Sequence, residues 1–352
     1  MINPRKSVLN MAPYNPPLEG RRSFMRLDFN ENTEGCSPAV LKALRSVTAD
    51  EIAAYPEYRP LYESLSSYFD LPPEMIQISN GSDESIMSTF QIFGESGSKV
   101  LIPFPTFSMF RFYAELLALN IIPADYEERF VFPYETYSRL LKEEKPDIAV
   151  FVSPSVPSGS LIESEYIKKT AQENPETLFL LDEAYYQFSG VDNIRLAKET
   201  DNIIILRTFS KAFGLGGLRF GVIFGQERII NFYRKAASPY SVNTITAKAV
   251  PAALNDRQSI ERYIKDVIQN RGKAVLELRK KNIKVFPSAS NFILMSLEDR
   301  AVYTSELLRK KGILVRPQKG HPLIEGCLRA TIGTKKQTRT LIEELLKITG
   351  EE

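Results

Sequence analysis

Five apolar runs in the middle of this chain, at 99–104, 148–153, 177–184, 202–210 and 218–225, are nearly continuous and do not alternate apolar with polar residues. A strand with one face in water alternates, whereas a strand covered on both faces does not. Between the runs lie helical patterns at 82–93, 107–119 and 163–173, each long enough to cross from one parallel strand to the next. Together they predict an α/β layered domain, with a mostly parallel central sheet sandwiched by helices. After about residue 243 the rhythm changes. A long amphipathic stretch at 260–280 precedes short strands at 282–286, 291–295, 312–315 and 327–332, which predicts a second, smaller α+β domain.

At 352 residues the chain is large enough for two domains and a sizeable core. Its 45 basic and 43 acidic residues leave a formal net charge of +2 with no long run of one sign. That balance lacks the electrostatic footprint of nucleic-acid or membrane-surface binding and favours a small-molecule partner. No stretch approaches membrane-spanning length and residues 1–14 show no signal-peptide pattern, so a cytoplasmic protein is expected. Cys36 and Cys327 are the only cysteines and His321 the only histidine. They supply neither a disulfide framework nor a zinc cage, and no metal dependence is expected.

The densest chemistry follows the run at 202–210, where a buried strand ends in a polar turn that delivers Lys211 and passes through glycines to Arg219. Thr208, Ser210 and Arg219 offer two hydroxyls and a guanidinium fork, a set suited to phosphate. A lysine beside such a site can serve as a neutral amine or form a Schiff base, because desolvation and neighbouring positive charge lower its pKa. The alternative is a solvated lysine at a helix start, where its charge opposes the helix dipole.

Ligands of open α/β sheets bind beyond the carboxyl ends of the strands. At one such end Asp182 and Glu183 follow an apolar strand, and period-2 alternation points them to opposite faces. Buried there, Asp182 needs a cation such as a protonated ring nitrogen; otherwise it serves as a turn cap. At another end, Gly81-Ser82-Asp83 opens a helix, which reads either as an anion site or as ordinary capping. A third, Ser153-Pro-Ser155-Val156-Pro157-Ser158-Gly159, reads as a rigid loop.

Taken together these segments resemble the fold-type-I pyridoxal-phosphate enzymes, and within them the histidinol-phosphate aminotransferase family. The motifs are Leu27-Asp-Phe-Asn-Glu-Asn32, Tyr55-Pro56, Gly81-Ser-Asp-Glu84, Pro105-Thr-Phe107-Ser-Met-Phe110, Asp182-Glu-Ala-Tyr185, Thr208-Phe-Ser-Lys211 and Leu328-Arg329-Ala-Thr-Ile-Gly333. They span nearly the whole chain in the family's order.

The resemblance implies a fold-type-I transferase. Residues 1–45 would form an N-terminal arm and part of the small domain, 46–245 the large cofactor-binding domain and 246–352 the small C-terminal domain. It implies pyridoxal 5'-phosphate bound covalently to Lys211, which then works as base and acid at the substrate Cα, with Asp182 on the pyridine nitrogen and Tyr185 beside the ring hydroxyl. Phe107 would stack on the ring, and Ser82, Asp83, Thr208, Ser210 and Arg219 would surround the phosphate. Tyr55 would reach that phosphate from the neighbouring subunit of a homodimer, and Asn30 and Arg329 would meet the substrate. Arg316 reads either as a further substrate contact or as a structural ion pair.

The implied reaction is amino transfer between an amino acid or an amino-alcohol phosphate like histidinol phosphate and 2-oxoglutarate. Decarboxylation, as in threonine-phosphate decarboxylases, elimination or cyclisation, and a non-catalytic cofactor-binding protein are the other readings, since fold does not fix reaction.

One position departs from the family. Its loop reads Asn-Pro-Asn-Asn-Pro-Thr-Gly, and the asparagine before the second proline donates to the ring oxygen; here that position is Val156. An apolar side chain cannot donate. Tyr185 is then the main partner of the ring oxygen, unless a serine of the loop takes over the contact.

Overall fold

The computed structural model describes residues 2–13 and 19–350. Its strands, in chain order, are β1 (Met25–Arg26), β2 (Ile76–Ser79), β3 (Lys99–Phe104), β4 (Asn120–Asp125), β5 (Ile148–Val152), β6 (Leu178–Asp182), β7 (Ile203–Thr208), β8 (Gly221–Phe224), β9 (Lys284–Val285), β10 (Phe292–Ser296), β11 (Ile313–Leu314), β12 (Arg316–Pro317) and β13 (Cys327–Thr331).

Seven of them form one sheet in the order β2-β8-β7-β6-β5-β3-β4, in which only β8 runs against its neighbours. The expected α/β sheet of mostly parallel strands is thus present. β5, β6 and β7 are buried at every residue, as their continuous apolar sequences require. Alternate residues feed two separate cores. Val150, Leu180, Ile204 and Leu206 pack on one face with Ile86 and Phe90 of the helix Ser82–Phe93 and Phe110 of the helix Ser108–Leu116. Phe151, Phe179, Leu181 and Ile205 pack on the other with Leu65 of the helix Arg59–Phe69 and Ile167 of the helix Ser164–Glu173. Phe151 and Phe179 stack across adjacent strands with centroids 5.5 Å apart. Each such fully buried ring contributes roughly 2 to 3 kcal/mol of hydrophobic free energy.

The edge strand β4 is not among the apolar runs. Pro123 interrupts it and half of its residues face solvent, as an outer strand allows.

Beyond the long helix Arg257–Lys280, a four-stranded antiparallel sheet has the order β12-β13-β10-β9. The N-terminal segment joins this region. β1 pairs in parallel with β11, and the Thr331 amide donates to the Leu27 carbonyl at 2.9 Å. Residues 27–32 are thereby laid between the small sheet and the carboxyl edge of the large one. No described helix is long and apolar enough to cross a membrane.

Candidate active site

Asp182 and Glu183 at the end of β6 point to opposite faces and have opposite surroundings. Glu183 is 1% exposed and accepts from Arg207 Nη2 at 2.7 Å and Nε at 3.0 Å, with Asn193 Nδ2 at 2.9 Å. The Arg207 guanidinium also pairs with Asp192 and lies 3.5 Å from the Tyr186 ring centroid. That cluster is structural.

Asp182 is 4% exposed, and its Oδ1 accepts from the Ala184 amide at 2.9 Å. The turn-cap reading therefore describes one of its oxygens. Burial pushes its carboxyl up to about 7, the nearby Asp83 and Glu183 add to the rise, and Lys211 opposes it. A buried carboxylate held this high lacks a close counter-charge and is chemically suited to a cationic ligand.

Lys211 lies beyond the end of β7 and donates from Nζ to the Phe29 carbonyl at 3.0 Å. The same Nζ is 5.6 Å from the Tyr185 ring centroid. Tyr185 is buried, packs its ring edge-on against Phe292 at 5.1 Å and accepts at its hydroxyl from Asn30 Nδ2 at 2.9 Å. Arg329 on β13 donates from Nη2 to the Asp28 carbonyl at 2.7 Å, and its guanidinium carbon is 5.5 Å from the Phe292 ring. Three successive residues, Asp28, Phe29 and Asn30, therefore touch Arg329, Lys211 and Tyr185 in turn.

A second cluster gathers at the helix Ser82–Phe93. Gly81 occupies its N-cap without any side-chain cap, so Ser82 and the first-turn amides are not closed off by the capping its sequence allowed. Arg219, in the left-handed region at φ 52°, reaches across to Asp83 Oδ2 at 3.1 Å and to the Gly216 carbonyl at 3.2 Å. A Cβ on Gly81 would lie 2.5 Å from Arg219 Nη2, so only glycine admits the guanidinium there. Ser210 donates its amide to Thr208 Oγ1 at 3.1 Å. An exposed fork, a helix start and two hydroxyls suit a phosphate group.

Phe107 is half-buried at the N-cap of the helix Ser108–Leu116, its ring 6.3 Å from Phe110. Tyr55 is 76% exposed and stacks on Tyr240 with centroids 4.4 Å apart. Arg316 is paired in register with Arg329, and its guanidinium carbon lies 5.9 Å from the Phe29 ring.

The loop serines bond within their own loop. Ser155 and Ser158 hydrogen-bond each other and both reach Ser160, at 3.1 and 3.0 Å, while Ser153 Oγ accepts from the Ile162 amide at 3.1 Å. Val156 is 8% exposed and belongs to the hydrophobic core.

Thr331 and Asn291, which hold Asn30, were not among the residues expected at the site. Thr331 follows Arg329 by two residues on β13 and therefore shares its face, a signal present in the sequence. Nothing local marks Asn291. Among the described residues no group of three or more His, Cys, Asp or Glu side chains could hold a metal ion.

Comparison with known proteins places these observations. The family model for aminotransferase class I and II matches residues 22–345. The histidinol-phosphate aminotransferase of Clostridium beijerinckii is 30% identical over 345 residues, covering 96% of this chain and 95% of that protein. Among solved structures, the histidinol-phosphate aminotransferase from Sinorhizobium meliloti in complex with pyridoxal-5'-phosphate has a TM-score of 0.89 at 22% identity, over 99% of this chain and 97% of that one. The L-threonine-O-3-phosphate decarboxylase from Porphyromonas gingivalis has a TM-score of 0.80 at 22% identity, over 93% of this chain and 99% of that one. At these identities the two structures share the fold.

Proposed function

The chain belongs to the class I and II aminotransferase family and is an aminotransferase, and from that premise we propose that it exchanges an amino group between a histidinol-phosphate-like amino compound and 2-oxoglutarate. Pyridoxal 5'-phosphate is its cofactor in this reading. When bound, it supplies an aldehyde for the substrate nitrogen and a ring that absorbs electrons released at Cα.

The residues present fit that group. The carrying observation is Asp182, buried and pushed up to about 7 at the end of β6, because a protonated pyridine nitrogen is the counter-charge it lacks. The close approach of the Arg219 guanidinium to Gly81 at this helix start supports a phosphate held by the guanidinium, Ser82, Asp83, Thr208 and Ser210.

Lys211 would hold the cofactor through its amine, and that amine, once free, would be the base that removes the substrate Cα proton and the acid that hands it on. Asp182 would keep the ring nitrogen protonated, Tyr185 would donate to the ring oxygen, and Phe107 would cover the ring. Arg329 receives the substrate phosphate or carboxylate in its planar fork, with Asn30 beside it. The exposed Tyr55 supports a homodimer in which that side chain enters the partner's site, and we place the enzyme in the cytoplasm.

A substrate panel on the cofactor-loaded protein tests this. Histidinol phosphate is expected to bleach the yellow absorbance in a single half-reaction, and 2-oxoglutarate to restore it. Release of carbon dioxide without a keto acid would instead assign the decarboxylase reading. No spectral response to any amino compound would overturn both.

A further inference from the structure

Asn30 is 1% exposed and sits in the left-handed region at φ 56°, a conformation asparagine tolerates. Each of its polar atoms has a partner. Its amide donates to Thr331 Oγ1 at 3.0 Å, and its carbonyl accepts from Asn291 Nδ2 at 3.0 Å. Its Oδ1 accepts from the Thr331 hydroxyl at 3.3 Å, and its Nδ2 donates to the Tyr185 hydroxyl at 2.9 Å.

Thr331 decides which way the amide faces. Its hydroxyl accepts from Asn30 N–H through one lone pair and gives its single proton to Oδ1 at 3.3 Å, which leaves Nδ2 against Tyr185. A tyrosine oxygen that accepts from Asn30 has its proton turned elsewhere. The site side, where Lys211 Nζ stands 5.6 Å from the Tyr185 ring, is where that proton is useful.

We propose that Asn30 is a positioning residue for the reaction: clamped by Thr331 and Asn291, it directs the Tyr185 hydroxyl to donate to the ring oxygen of bound pyridoxal 5'-phosphate. It thereby supports the contact that Val156 cannot make, beside a loop whose serines 155, 158 and 160 bond one another. The proposal rests on the cofactor reading given above. It changes the role of Asn30 from a substrate contact to a residue acting through Tyr185.

The charged groups around Tyr185 are Lys211, Asp182 three residues before it, and Arg329 across the Phe292 ring. None of these is altered in the test. A donor to the ring oxygen stabilises negative charge that is greatest once the adjacent lysine-linked nitrogen has lost its proton, so a weaker donor moves that titration to higher pH.

The experiment is a visible-absorbance pH titration of the cofactor-loaded enzyme. Asn30→Gly removes the amide and keeps the positive φ accessible. Its midpoint is expected to rise by about half a pH unit, the size of one weakened neutral hydrogen bond. In a Tyr185→Phe background the same substitution is expected to add nothing. Thr331→Val, which leaves residue 30 in place, is expected to shift the midpoint the same way by less. An unchanged midpoint in both single variants overturns the proposal, as does an equal shift with and without the tyrosine hydroxyl. Wild-type protein that gains no yellow absorbance on adding the cofactor overturns the cofactor reading itself, an outcome distinct from a chromophore indifferent to Asn30.

Discussion

Gly81 and Arg219 are in such close apposition that a methyl group on the glycine would lie 2.5 Å from the arginine Nη2. Gly81→Ala must therefore displace the guanidinium, and it also places a side chain at φ 88°. Loss of one charge-assisted contact, worth about 1.5 kcal/mol, is expected to weaken pyridoxal 5'-phosphate binding about tenfold. Equilibrium dialysis measures this, and unaltered affinity would remove Arg219 from the phosphate site.

Asp182 links stability to pH in the cofactor-free protein. Its folded pKa is raised from 3.8 to about 7 by burial. A carboxyl raised in this way binds its proton more tightly when folded, so its stabilising effect is complete at low pH and is lost as pH climbs from about 4 to 7. Asp182→Asn is expected to abolish that loss and to melt at a higher temperature than wild type at pH 8, with little difference at pH 4. Coincident melts at pH 8 would refute the assignment.

Arg207 and Glu183 form an ion pair in which both side chains are 1% exposed. Removing one partner leaves the other charge buried and uncompensated. Arg207→Met is expected to destabilise the protein by about 3 kcal/mol in urea unfolding, and the double variant with Glu183→Gln to recover part of that loss. A single-variant cost below ~1 kcal/mol would mean that water reaches the cluster.

Val156→Asn restores a donor in the loop before Pro157. The absorbance midpoint of the loaded enzyme is expected to fall relative to wild type, because the ring oxygen gains a second hydrogen bond. Identical midpoints would show that residue 156 does not reach the ring.

Arg329→Lys keeps the charge of Arg329 and removes its fork. For a phosphate-bearing amino substrate, kcat/KM is expected to fall about 100-fold, as when a bidentate charged contact is lost. Undiminished kcat/KM would direct attention to Arg316, its neighbour in register.

The sheet was legible in the sequence because strands buried on both faces have a simple signature. Phe151 and Leu181 could be assigned to a core without knowing their neighbours. The edge strand β4 escaped because Pro123 and its solvent-facing residues break that signature. At the site, alternation alone separates Asp182 from Glu183, and the turn at Lys211 is evident from residue types. What receives Glu183 is Arg207, which lies one strand over, and no local pattern reports a pairing between strands. The contact between Asn30 and Tyr185 spans 155 positions and depends on β1 docking beside β11. Such a contact follows from the assembled fold and not from periodicity.

The reversal of β8 has a geometric consequence. β7 and β8 are antiparallel neighbours, and the Phe209 amide bonds the Phe220 carbonyl at 3.1 Å, so residues 209–220 form a ring closed at its base. Lys211 and Arg219 are both members of that ring. Their separation is consequently set by its circumference and is insulated from any swinging of the C-terminal sheet that carries Arg329. Lengthening the ring by a single residue would detune the spacing between the two side chains, whereas added residues at the exposed turn 95–97, outside the ring, would leave it untouched.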